Sequence, residues 1–106
     1  MKKLKRKPML ETQYRSSRIC RVLGNPTAYK IIRLLEKKKM APSEMASKLK
    51  LTLPTISDTL RILRKVDLVR YETQKNHKIY FLKEPKIIKV LKELEKIVEN
   101  LRFLKW

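Results

Sequence analysis

Residues 41–66, APSEMASKLKLTLPTISDTLRILRKV, constrain this chain more than any other stretch, because two helix starts and two apolar faces are packed into so few positions. Ser43 can accept a backbone N–H as an N-cap, and Met45, Ala46 and Leu49 then share one helical face. A short first helix is expected. After Lys50 and Leu51, Thr52 can cap a second helix, with Pro54 in the early turn where amides lack intrahelical partners. Ile56, Leu60 and Leu63 follow at i, i+4 and i+7 and turn one face inward. Leu53, Thr55, Ser57, Asp58 and Arg61 are left near the start or on the outer faces, all polar apart from Leu53. Two short helices in this relation form a helix-turn-helix, whose second helix can enter a DNA major groove with its N-terminal residues against base edges.

The residues that follow narrow the fold further. Residues 68–74 (LVRYETQ) and 78–83 (KIYFLK) are rich in β-branched and aromatic residues. Lys75, Asn76 and His77 link them, and Asn tolerates positive φ, so a β-hairpin is predicted directly after the second helix. Alternation puts Val69, Tyr71 and Thr73 on one face and Leu68, Arg70, Glu72 and Gln74 on the other. Ile79, Tyr80, Phe81 and Leu82 are apolar on both faces, which leaves their core pair open.

Upstream, a helix over residues 12–23 offers Tyr14, Ile19, Val22 and Leu23 as apolar surface, with Arg15, Arg18 and Arg21 on another side. Gly24 is expected to end it in a left-handed conformation, after which Asn25 caps a helix with Pro26 in its first turn. That helix, over residues 26–38, places Tyr29, Ile32 and Leu35 against a core and closes on Lys37, Lys38 and Lys39, cations suited to the negative helix end. Over residues 85–104 the period is helical again. Ile87, Leu91, Leu94, Val98 and Leu101 form one line, and Val90, Leu94, Ile97, Leu101 and Leu104 a second. Together they make a stripe wider than one small domain covers, and self-association would bury it. Lys89 with Glu93, Lys92 with Glu95, and Glu99 with Arg102 read as pairs on the outer surface, leaving Glu93, Glu95 and Glu99 on a solvated face.

The expected fold is mainly α with a β-hairpin. A length of 106 residues leaves room for one core, so residues 1–10 read as a basic arm and residues 11–106 as a single domain. The formal charge is +18, from 28 Lys and Arg against 10 Asp and Glu, and such a chain repels itself unless it meets a polyanion. Nucleic acid is the expected partner. The excess is uneven: +11 over residues 1–40, +5 over residues 41–83 and only +2 over residues 84–106, so the C-terminal segment suits a protein contact better. Lys2, Lys3, Lys5, Arg6 and Lys7 form either a frayed terminus or an arm that follows phosphates or lies in a minor groove. No apolar run approaches a membrane span and no secretory h-region is visible, so a cytoplasmic, nucleoid location is expected. The Lys, Glu and Ile-rich, Gly-poor composition is of the kind found in hyperthermophile proteins, although four Met weaken the point.

The order helix, helix, helix-turn-helix, hairpin, terminal helix resembles the winged helix-turn-helix regulators of the ArsR type. The residues that carry the likeness are Leu-Gly-Asn-Pro-Thr at positions 23–27, Glu-Met-Ala at 44–46 and Pro-Thr-Ile-Ser at 54–57. The resemblance implies a homodimer built by the first and last helices. Ile19, Cys20 and Leu23 would meet the partner, together with Val90, Leu91, Leu94, Ile97, Val98, Leu101 and Leu104. It also implies DNA contacts from Thr52, Leu53, Thr55, Ser57, Asp58, Thr59 and Arg61, and from a wing of Lys75, Asn76, His77 and Lys78. The chain departs from the family at Leu53, Asp58 and Thr59, where Gln, then Arg or His, are frequent. Leu53 could touch a thymine methyl, and Asp58 could accept from cytosine N4 or simply pair with Arg61. Members that sense metals do so through Cys or His sites that are missing here: residues 40–45 have no Cys and residues 85–106 no His, so no metal or other cofactor is expected. Cys20 reads as a reduced, packed thiol, with a cross-dimer disulfide as its alternative.

No carboxylate pair, Ser/His/Asp set or glycine-rich phosphate loop stands out, and one His with one Cys offers little to catalysis. The expectation is a dimeric regulator on double-stranded DNA, with a nucleoid-associated architectural protein as the alternative.

Overall fold

Asn25 and Pro26 fix the centre of the molecule. In a computed structural model, which describes residues 9–101, the Asn25 Oδ1 accepts the amides of Thr27 at 2.9 Å and Ala28 at 3.1 Å and starts α2 (Pro26–Leu35). Before it runs α1 (Glu11–Leu23), and after it α3 (Pro42–Leu49), α4 (Leu53–Lys65), strands β1 (Val69–Gln74) and β2 (His77–Leu82), and α5 (Ile87–Glu99). The strands pair antiparallel. Ile31, Ile32, Met45, Ile56, Leu60 and Leu63 are fully buried, so α2, α3 and the inward face of α4 build one core, which Val69, Tyr80, Ile88 and Leu91 close. Among the described residues no helix is long and apolar enough to cross a membrane.

Several boundaries differ from the sequence expectations, each for a local reason. Gly24 is right-handed, with φ −68°, and its use is close approach, since a Cβ there would stand 3.2 Å from the Arg21 carbonyl oxygen. The cap of α3 is Ala41, not Ser43, because Pro42 supplies the first helical residue with its preset φ. α2 stops at Leu35, before the three lysines, because the chain turns away to bridge Met40 to Tyr80. The Met40 amide donates to the Tyr80 carbonyl at 3.1 Å, and the Tyr80 amide donates back at 2.8 Å. Lys38 and Lys39 therefore do not cap a helix but pair with Glu44 at 2.7 Å and Glu72 at 3.1 Å.

The hairpin turns on two residues rather than three. Lys75 and Asn76 both hold positive φ, 48° and 66°, as a type I′ connection requires, and His77 pairs with Gln74 inside the sheet. Tyr80 and Leu82 supply the core pair of β2, while Ile79 and Phe81 take the other face. Leu68, placed by alternation beside Arg70, is instead buried just ahead of the strand, after a left-handed Asp67 with φ 59°.

α5 is two-sided. Ile88 and Leu91 pack into the core of their own domain, so Leu91 does not belong to an exposed seam. Two of the surface pairs expected along α5 are also rearranged, while Arg102, the expected partner of Glu99, lies outside the described residues: Lys92 reaches Glu36 on α2 at 2.7 Å, and Glu95 meets Arg33 at 3.4 Å. Glu95 is thus a docking residue. Glu93 pairs with Lys96 at 3.2 Å rather than with Lys89.

Candidate nucleic-acid interface

The outer face of α4 follows from its cap. The Thr52 side chain accepts the Thr55 amide at 3.3 Å and shares a 2.9 Å hydrogen bond with the Thr55 hydroxyl, which closes the first turn. With Ile56, Leu60 and Leu63 buried, the helix is held by one side, and Leu53, Thr55, Ser57, Asp58 and Arg61 stand in solvent on the others. Leu53 is 48% exposed, an apolar side chain at the tip of an otherwise polar surface.

Two of the expected base-reading residues have other engagements. Thr59 is buried, and its hydroxyl donates to the Thr55 carbonyl at 2.8 Å, so it packs on the α2 side and cannot reach a groove. A period of 3.6 residues accounts for this, because Thr59 falls three after Ile56 and four before Leu63 on the inward stripe. Asp58 lies 3.5 Å from Arg61, both exposed. Of the alternatives for Asp58, the pairing with Arg61 is the one formed in the free protein.

The wing adds Lys75 and Asn76 at its tip, with exposed His77 and Lys78 following. All four expected wing residues therefore cluster at one end of the sheet. The four carboxylates of residues 41–83 are each held by a cation: Glu44 by Lys38, Asp58 by Arg61, Asp67 by Arg70 and Glu72 by Lys39. The Arg70 guanidinium grips Asp67 with two hydrogen bonds, 3.0 and 3.2 Å, and holds that carboxyl below its usual range. Glu72 is lowered in the same way, first by Lys39 and then by Gln74. Among the described residues, Lys48, Lys50, Arg64, Lys65, Lys75, Lys78 and Lys83 have no such carboxylate partner, so this half of the molecule keeps an uncompensated positive surface.

Sequence reasoning missed Arg64 and Tyr71. The Arg64 guanidinium lies 4.8 Å from the Tyr71 ring centroid, and the Lys78 ammonium also lies 4.8 Å from it. Tyr71 in turn tilts against Tyr80 at 5.3 Å. The available signal was the basic last turn of α4 together with an aromatic residue two positions into the strand.

A model of the helix-turn-helix domain matches residues 23–72. The solved structures with the same arrangement include the homodimeric winged helix-turn-helix DNA-binding domain of Mb0332 from Mycobacterium bovis, described as a possible ArsR-family transcriptional regulator. It is 17% identical, with a TM-score of 0.76 over 89% of this chain and 91% of that one. The chain has a winged helix-turn-helix fold. The winged helix also superposes on the transcriptional repressor BigR of Xylella fastidiosa, at 20% identity and a TM-score of 0.73 over 80% of this chain and 87% of that one. In sequence it is 29% identical over 93 residues to an uncharacterized HTH-type transcriptional regulator of Methanocaldococcus jannaschii, across 87% of this chain and all of that protein.

The remaining expected residues divide by position. Ile19 and Leu23 are half-buried against the core and Cys20 is an exposed free thiol, not a packed one. Val90, Leu94, Ile97, Val98 and Leu101 are 40–59% exposed, an apolar strip along α5 and just past its end, beside the polar docking contacts. Lys2, Lys3, Lys5, Arg6, Lys7 and Leu104 lie outside the described residues. Among the described residues, no three of His, Cys, Asp and Glu converge as ligands of a metal ion would.

Proposed function

We propose that the protein is a transcriptional regulator that binds double-stranded DNA as a homodimer, with the start of α4 in the major groove and the wing along the backbone. One observation carries this reading. The face of α4 bearing Leu53, Thr55, Ser57, Asp58 and Arg61 is exposed, while the opposite face is wholly occupied by the core. A helix presented in this way, next to a positively charged wing, has the geometry of a groove reader. The dimer is supported by the exposed strip of Val90, Leu94, Ile97, Val98 and Leu101, too apolar a row to remain in water. Residues 1–10 act as a basic arm on the phosphates.

A second reading has its own support. With Thr59 buried and Asp58 paired, few side chains remain to discriminate bases, and the +18 charge favours any duplex. Architectural coating of DNA would use the same surface without sequence preference. Competition decides between them: labelled DNA from the protein's own upstream region is challenged with random duplex at physiological salt. A specific regulator resists by roughly 10³-fold or more. Equal competition would favour coating, and no binding to either duplex would overturn both.

A further inference from the structure

We propose that Arg64, Tyr71 and Lys78 form a phosphate clamp in the notch between α4 and the wing, a DNA-backbone site separate from the base-reading start of the helix. The proposal rests on the reading of the protein as a DNA-binding regulator. Arg64 lies in the last turn of α4 and Lys78 in the wing, yet both cations come to 4.8 Å from one ring. Tyr71 and Lys78 can both face that helix because Tyr71 pairs with Tyr80 and Lys78 with Thr73, which puts the side chains of Tyr71 and Lys78 on one side of the sheet. The ring is itself fixed by Tyr80, which is buried.

Two like charges drawn to one ring repel each other, and the ring offsets only part of that repulsion. Among the described residues neither cation has a carboxylate partner, although every Asp and Glu of residues 41–83 has been taken by another cation. The pair is therefore left as a divalent positive site whose natural complement is an anion. A backbone phosphate fits by position as well as by charge. Arg64 is eleven residues beyond Leu53, so it stands roughly 16 Å along the helix from the base-reading tip, at the end where α4 meets the wing through Tyr71 and Lys78.

Tyr71 has a different task from the two cations. Lys and Arg normally lose much rotamer freedom when they bind, and a ring that already holds them reduces that loss. It is a positioning residue, and its signature is affinity without counterion release.

The test is the salt dependence of duplex binding, read by fluorescence anisotropy on the full chain. Arg64→Ala and Lys78→Ala should each make the slope of log affinity against log salt shallower by about 0.9 for each protomer engaged. Tyr71→Leu should keep the parental slope and weaken binding roughly three- to tenfold, while Tyr71→Phe, which keeps the ring, should bind as the parent does. Circular dichroism melts of each variant separate loss of the site from loss of the fold, and Arg64, being exposed, tests the clamp even if Tyr71→Leu fails to fold. A parental slope in Arg64→Ala overturns the clamp, and parental affinity in a folded Tyr71→Leu overturns the positioning role. If the parent itself ignores duplex DNA, the functional reading falls, an outcome distinct from variants that bind as well as a binding parent.

Discussion

Lys50 and Thr52 decide how the two helices of the motif meet. Lys50 holds φ 56° and ψ 45° at the end of α3, a left-handed conformation that strains any residue with a Cβ, and Thr52 then caps α4. Opposite effects are expected from changing them. Lys50→Gly should stabilise the fold by about 0.5–1 kcal/mol, the relief of strain exceeding the added freedom of the unfolded chain. Thr52→Ala should cost about 1 kcal/mol by orphaning the Thr55 amide. Urea midpoints at constant m-value measure both. At this scale the sequence was readable where a side chain serves its own backbone, as with Asn25 and Thr52. It was opaque at Thr59, whose hydroxyl is satisfied by the Thr55 carbonyl four residues back, so that a polar residue lies on the buried face at little cost. The pairing of Asp58 with Arg61 was local too, since an Arg three positions later on a helix is within reach.

At the scale of elements, α5 is anchored by polar contacts that its own sequence does not reveal. The Tyr29 hydroxyl donates to Glu95 at 2.5 Å, Arg33 meets the same carboxylate, and Lys92 crosses to Glu36. Burial, and then the hydrogen bond to Glu95, push the Tyr29 hydroxyl up to about 12 from 10.0. A raised value in the folded state means that its contribution to stability is complete below pH 10 and is lost as the pH rises through about 12. The melting temperature of the parent minus that of Tyr29→Phe should therefore stay constant up to about pH 10 and shrink above it. Thermal melts across pH 8–12 check this; a difference that does not shrink would mean that the hydroxyl is not tied to α5. Glu36 works in the other direction. The Lys92 hydrogen bond holds its carboxyl below the usual value, so that contact stabilises above pH 4.5 and fades as the pH falls below it. The hairpin shows the same limit of local reading. Its two strands and their turn residues were legible from composition, but the two-residue connection over Lys75 and Asn76 depends on a register that only strand pairing sets.

For the whole molecule, the central matter is what the exposed strip of α5 meets. Replacing Leu94 and Leu101 by Asp should convert a dimer into a monomer in sedimentation velocity and weaken duplex binding, because two linked half-site readers gain from an effective local concentration. Both side chains stand about half exposed, so the monomer fold should survive with a near-parental melt. A variant that remains dimeric would place the seam elsewhere. The division of α5 matters for that experiment: Leu91, though on the same apolar line as Leu94, is 2% exposed, and Leu91→Asp would unfold the domain rather than split a dimer.

The sequence alone determined the order of elements, the inward stripe of α4 and the excess of positive charge, because caps, helical period and net charge are properties of near neighbours or of sums. Only the tertiary structure decided that α2 ends at Leu35 to free Met40 for Tyr80, that α5 divides into a docked side and an open side, and that Arg64 and Lys78 converge on Tyr71. Each of those depends on which distant groups come within a few ångströms. Periodicity says which residues share a face, but packing determines what that face touches.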